Sequence, residues 1–253
     1  MVGKRKTKEA FMIEKTKEQT GVKVNIPDPE LLELFGDEPE PESPLDKKIA
    51  ITIFSDRRAL AKRKEAKWSR RDLVEKAKGI RASDKDSMRH IKLGTFGDQT
   101  SAKGCYRHNL NHVAVSGIEC EYDDGEVSVD AAVRLLSKAG TAAMVYTTPS
   151  HGMDGKGHRW RVLCPLESDV APNARRALAA RLNGALGGIV SDESFTAAQS
   201  YAFGQVEGRT PIRVELVDGR FLDQVEGIEP VDPKGERERG EPQPAADLSD
   251  DPR

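Results

Sequence analysis

Cysteine is scarce in this 253-residue chain, with only three, Cys105, Cys120 and Cys164, all widely spaced. No CxxC pair occurs, so a zinc site built on thiolates is not expected, and an odd count argues against a disulfide framework. Aromatic residues make up only 5% of the chain, and no run approaches the roughly 20 apolar residues a membrane span needs. The basic start, MVGKRKTKEAF, lacks the apolar stretch of a secretory signal. These absences lead to the expectation of a soluble, cytoplasmic protein with no membrane partner. Signature motifs are missing too: there is no GxxxxGK[ST] phosphate loop, no HExxH and no GxSxG. Net charge is −2, so the total says nothing about partners.

Charge, by contrast, is plentiful, at 32% of residues, and unevenly spread. Residues 56–78 carry ten Lys or Arg against four acids. Such a tract suits nucleic-acid contact, and equally an ordinary solvated helix face. Residues 1–46 are polar and end in the acidic, Pro-rich DEPEPESPLD, which reads as a disordered segment and linker. Residues 226–253 hold nine acids, four bases and five prolines without periodicity, and read as a disordered acidic tail. The folded domain is expected between them, at 47–225, with its core at 112–206.

Within that span, residues 48–54 (KIAITIF) alternate as a strand does. Residues 55–78 read as helix in two pieces, the second opened by a Ser69/Asp72 capping box and closed by Gly79. Residues 91–96 suggest a short strand and 97–111 a polar loop. From His112 the pattern is regular: strand 112–123, helix 128–139, strand 142–147, strand 158–166, helix 172–186 and strand 200–206, with a further strand at 211–217. The order β-α-β-β-α-β is that of a ferredoxin-like core. The fold class is therefore α+β, with disordered termini.

Three stretches on this frame carry chemistry. In VAVSGIECEYDD, residues 113–124, Glu119, Glu121 and Asp123 lie two apart and so share one face of a strand. That much like charge calls for a partner, and hard divalent cations such as Mg²⁺ or Mn²⁺ take oxygen ligands. The same trio also suits a solvated strand end before the turn at Asp124 and Gly125. The second stretch, YTTPSH, ends in Ser150 and His151 and precedes Lys156, His158, Arg159 and Arg161. The third is SDESF, with Asp192 and Glu193. The topology makes the first and third strands neighbours, so acids, a histidine and arginines converge. That mixture fits nucleotidyl transfer, in which carboxylates hold metal and cationic donors meet a triphosphate.

These stretches resemble motifs I, II and III of the archaeo-eukaryotic primase superfamily, especially its plasmid and phage primase-polymerases. Motif I there is a strand with two acids one residue apart. Glu119 and Glu121 match it, with Asp123 as an alternative second acid. Ser150 and His151 match motif II, and Asp192 matches the single acid of motif III. The family's usual motif I acid is Asp, whereas both matched positions here are Glu. The resemblance spans roughly residues 91–206 and implies an RRM-type catalytic half preceded by an N-terminal αβ unit, for which residues 48–96 are the candidate. It implies a Mg²⁺- or Mn²⁺-dependent DNA primase or polymerase acting on single-stranded DNA. Metal would be held by Glu119, Glu121, Asp123 and Asp192. The nucleoside triphosphate would meet Ser150 and His151, with Lys156, Arg159 and Arg161 as helpers. A separate replicative helicase is an expected partner. Two other functions compete. A catalytically degenerate DNA-binding replication protein on the same fold would keep the basic surface and ignore the acids. A rolling-circle endonuclease would need an HxH pair, which is absent, since His108 and His112 are four apart.

Overall fold

The computed structural model describes residues 43–55, 63–153 and 155–235. It begins with β1 (Ile49–Phe54), which turns back as β2 (Arg63–Trp68) in an antiparallel pair, Ile49 opposite Trp68. Here sequence and structure part. The stretch 63–68, expected as helix, is an edge strand, with Lys64, Glu65 and Lys67 in water and Ala66 and Trp68 turned inward. Helix α1 (Arg70–Gly79) follows, opened as expected by a reciprocal capping box: the Ser69 hydroxyl accepts from the Asp72 amide at 3.0 Å and the Asp72 carboxylate from the Ser69 amide at 2.9 Å.

The expected strand at 91–96 is two strands in two sheets. After a two-residue β3 (Arg81–Ala82), β4 (Arg89–Lys92) pairs with β1, while β5 (Gly94–Phe96) pairs with β6 (His112–Gly125). Next come α2 (Val129–Ala139), β7 (Ala143–Thr147), β8 (His158–Val170) and α3 (Arg175–Ala185). Gly140, at φ 70°, ends α2 in the left-handed conformation that glycine takes freely. The chain closes with β9 (Tyr201–Phe203), β10 (Gln205–Val206) and β11 (Val214–Val217).

The architecture is α+β. One sheet has the order β11-β7-β8-β6-β5, a second β2-β1-β4-β9, and β10 pairs with β3. β6, β8 and β7 stand in the order of a ferredoxin-like sheet, and β6 and β8 are neighbours, as the topology requires. The last expected strand is different. Gly204, at φ 105°, splits it, and its first half, β9, joins β4 in the second sheet. The edge of β6 left free near Glu121 is filled by a 3₁₀ turn, Asp192–Phe195. The Ser191 amide donates to the Glu121 carbonyl at 2.8 Å, and the Glu121 amide donates to the Ser194 hydroxyl at 2.9 Å.

One face of the larger sheet is apolar and covered by helices. Ile118, Cys120 and Tyr122 of β6 and Val162 and Cys164 of β8 pack with Leu136 of α2 and Leu182 of α3. The opposite face turns toward the second sheet, where Met144, Tyr146 and Leu163 join Ile51, Ile91 and Phe203. Glu119 is paired with Leu163 and Glu121 with Arg161, so both acids lie on this inter-sheet face. At the far end Tyr122 stacks on Trp160, centroids 4.9 Å apart, and its hydroxyl accepts from the amides of Glu126 and Val127. That fixes the exit of β6 into α2.

The segment from Glu226, expected as tail, begins as packed structure. The Val231 amide donates to the Ala180 carbonyl at 2.9 Å, and the Asn183 side chain donates to the Val231 carbonyl. The proposed linker likewise ends in structure, since Leu45 is buried and its carbonyl accepts from the Arg70 amide. The remainder of both terminal segments, 1–42 and 236–253, lies outside the described residues. No helix among the described residues is long and apolar enough to cross a membrane.

Candidate active site

β6 carries its three acids from the core to the surface. Glu119 is fully buried. Its Oε2 accepts from Lys92 Nζ at 2.7 Å and Arg175 Nη2 at 3.2 Å, and its Oε1 accepts from the Leu93 amide. Burial opposes its charge, but Lys92 and Arg175 outweigh that and hold its pKa below the usual carboxylate value. The Lys92 pKa is lowered as well, which for a base disfavours its charge. Burial and then Arg175 push its pKa down to about 7, against the pull of Glu119. Glu119, expected as a metal ligand, is instead the anion of an interior ion-pair network with both oxygens engaged. Strand spacing gave its face correctly but carried no information about depth.

Glu121 and Asp123 stand nearer solvent, their side chains 23% and 43% exposed. Glu121 meets Arg161 at 2.7 Å. Arg161 is itself buried, donates to the Ala202 carbonyl at 2.7 Å and lies over the Tyr201 ring. Burial works against its charge, yet Glu121 prevails and its pKa is raised. Asp123 accepts from Arg159 Nη1 at 3.2 Å on one oxygen and from the Ser191 hydroxyl at 2.7 Å on the other.

His151 joins the same cluster through the backbone. Its Nδ1 accepts from the Arg159 amide at 3.0 Å, and the Arg159 carbonyl accepts from the Thr148 amide. This fixes the Thr148–His151 turn to β8 and leaves Nε2 as the ring nitrogen not engaged in that bond. Burial first, then His158, lowers the His151 pKa. Arg159 therefore touches the second stretch with its amide and the first with its guanidinium, while Ser191 at the head of the third holds the same Asp123. The three stretches do meet.

Other expected residues are placed less centrally. Ser150 is buried in the turn beneath His151, its amide facing the Thr148 hydroxyl at 3.4 Å. Lys156 is exposed on the loop before β8. Asp192 is exposed, and its carboxylate accepts from the amides of Lys234 and Gly235 at 2.8 and 3.0 Å. Lys234 also pairs with Asp124 at 2.5 Å. The segment 231–235 thus crosses the ends of the first and third stretches, a contact hidden in the sequence by its Pro-rich composition.

Beside His151 lies a cavity of about 230 Å³, walled by Thr147, Thr148, Arg209, Thr210 and Pro211. Arg209 Nη1 donates to the Pro149 carbonyl at 3.0 Å, tying this loop to the His151 turn. Sequence reasoning missed Arg209, because nothing in the GRTP run marks which strand end it faces.

The donor set fits a hard divalent cation in part. Glu121 and Asp123 offer oxygens on one accessible face, each already balanced by a cationic guanidinium, as charge at a metal position would be. Among the described residues, no three His, Cys, Asp or Glu side chains stand together as a ligand set.

No family model matches the sequence, and no curated protein matches it. Among solved structures, the chain is similar to the AEP domain of a cyanophage S-2L primase-polymerase. That likeness has a TM-score of 0.38 and 14% identity, and covers 72% of this chain and 89% of that one. It is also similar to primase RepB′, with a TM-score of 0.36 and 10% identity over 71% of this chain and 57% of that one. Likenesses at these values carry no argument about function, which rests on the geometry of the site.

Proposed function

We propose that this chain is a metal-dependent nucleotidyltransferase of the DNA primase or primase-polymerase type, working on single-stranded DNA with nucleoside triphosphates in plasmid or phage replication. The observation that carries the reading is the convergence on Arg159. One residue joins His151 to Asp123, and Ser191 holds that same carboxylate from the third stretch.

In this reading Glu121 and Asp123 hold Mg²⁺ or Mn²⁺, with Asp192 as the third acid once released from the amides of Lys234 and Gly235. The cation would supply charge neutralisation and alignment of the reacting oxygens. The chain's own groups do the rest. His151 presents Nε2 to a triphosphate oxygen beside the cavity at Thr147 and Arg209, while Ser150 buttresses its turn. Arg159 exchanges from Asp123 to phosphate, a planar fork suited to either anion. Lys156 adds a mobile charge at the rim. Arg161 stays fixed, because its carbonyl partner and the Tyr201 ring hold it independently of Glu121. A helicase would be a separate partner.

A second reading has its own observation. Both accessible acids are ion-paired with arginines, and the described residues offer no three-ligand cluster. That favours a DNA-binding replication protein on the same fold without catalysis. A template-dependent synthesis assay separates the two. The full chain is incubated with single-stranded DNA, labelled nucleotides and Mg²⁺ or Mn²⁺, beside a Glu121→Ala/Asp123→Ala variant. Product from wild type alone supports the transferase. DNA binding without product under either metal supports the binding protein, and such binding should weaken steeply with salt.

A further inference from the structure

Arg175 belongs to none of the three stretches, yet its guanidinium joins the first to the third. It is fully buried at the first turn of α3. Nη1 donates to the Ser194 carbonyl at 2.7 Å, and Nη2 donates to the Glu119 carbonyl at 3.1 Å and to Glu119 Oε2 at 3.2 Å. Lys92 holds the same Oε2 from the second sheet. Along the unpaired edge of β6, the Glu119 carbonyl is thus satisfied by Arg175, the Glu121 amide by the Ser194 hydroxyl and the Glu121 carbonyl by the Ser191 amide. A fourth strand would fill these positions in a regular sheet. Here a side chain and a single turn fill them. Tyr201 adds a hydrogen bond from its hydroxyl to Ser194 Oγ at 3.1 Å.

We infer that Arg175, oriented by Glu119 and Lys92, is a positioning residue that sets the Ser191–Phe195 turn against β6 and so fixes where Ser191 and Asp192 stand relative to Glu121 and Asp123. The turn has no ladder of its own. Its register on β6 rests on the Ser191 amide, the Ser194 hydroxyl and the Arg175 fork. A shift there moves the Ser191 hydroxyl off Asp123 and carries Asp192 with it. Lysine in place of Arg175 keeps the charge beside Glu119 but has no rigid fork to span a carboxylate and two carbonyls. The consequence for metal rests on the proposed function, whereas the consequence for the turn does not.

The test uses the full chain as wild type, Arg175→Lys and Ser194→Ala, with two readouts on the same samples. The first is amide hydrogen exchange. The Ser191 and Ser194 amides should exchange at least about tenfold faster in Arg175→Lys, with β1 and β4 at wild-type rates, and Ser194→Ala should repeat this more weakly. The second is Mn²⁺ affinity, followed by the spin-resonance signal of free Mn²⁺. It should weaken by about 10–100-fold in Arg175→Lys, the range found when a group that orients metal ligands is lost. Unchanged protection of the turn in both variants overturns the inference. So does an even loss of protection across the domain, which would make Arg175 a core ion-pair member only, whereas a loosened turn with Mn²⁺ affinity unaltered upholds the role of Arg175 and counts against metal at Asp192. Wild-type protein that binds no Mn²⁺ counts against the metal reading of the site, while the exchange rates still decide the role of Arg175.

Discussion

Glu119 and Asp123 lie four residues apart on one face of one strand, and they live in different chemistry. Glu119 is sealed between the two sheets with Lys92, Arg175 and the Leu93 amide on its oxygens. Asp123 is at the rim, held by an arginine and a serine that can both let go. The difference shows that alternation along a strand assigns a face, while the neighbouring sheet assigns depth. A carboxylate that has lost its water can exist only with fixed cations beside it, and those cations close it to an incoming metal. One that keeps water can trade partners. β6 therefore runs from a structural end to a chemical end.

The contrast should appear first in stability. Glu119→Ala leaves Lys92 and Arg175 buried without their anion and is expected to cost about 3–5 kcal/mol by chemical denaturation. Asp123→Ala should cost about 1 kcal/mol or less, as for exposed ion pairs. Equal losses would erase the distinction between the two ends of the strand.

The second prediction sharpens it through pH. His112, at the start of β6, is buried and stacked on Phe96 with centroids 4.7 Å apart. Burial, and then Lys92, lower its pKa from 6.5 to about 4. Between those values the unfolded chain binds the proton that the folded chain refuses, so stability rises with pH through this window and is lost on acidification from about 6.5 toward 4. The loss should amount to about 2–3 kcal/mol. His112→Phe should flatten that part of the profile, read from denaturation midpoints at several pH values.

The two arginines opposite the acids differ in the same sense. Arg161→Ala removes a buried cation from Glu121 and from the Ala202 carbonyl, and should cost about 2–4 kcal/mol. Arg159→Ala, at the open end, should change stability by about 0.5 kcal/mol or less while weakening triphosphate binding, measured by calorimetry. The smallest effect on the site is expected from Ser69, remote from both ends of β6, where Ser69→Ala removes a helix cap worth about 1 kcal/mol and should leave nucleotide and metal binding untouched.

Much of this was legible in the sequence because it depends on local pattern. The period of β6, the apolar stripe of α2 and the Ser69 cap follow from neighbours in the chain, and the pairing of β6 with β8 follows from the order of the elements. What escaped was set at a distance. Residues 63–68 have little apolar alternation, and only pairing with β1 makes them a strand. Tyr201–Phe203 read as the last strand of the core sheet, yet Gly204 breaks the run and β4 takes it. Lys92, Arg175 and Arg161 look like surface residues by composition, and nothing in one sequence announces that a carboxylate draws each inside. Residues 231–235 looked like tail, and their contact with Asp192 runs through backbone amides, which any sequence could supply. For the candidate site, face and grouping could be read ahead, but depth and partners could not.

The most direct test of this division is Mn²⁺ binding to the full-length wild type and to Glu121→Gln/Asp123→Asn, with the melting temperature taken on the same samples. The account predicts that wild type binds, and that the double variant binds at least about tenfold more weakly while melting within a few degrees of wild type. A variant that binds Mn²⁺ as wild type does, or one that loses the metal only by losing its fold, would contradict the claim that the outer acids of β6 form the chemical end of the strand.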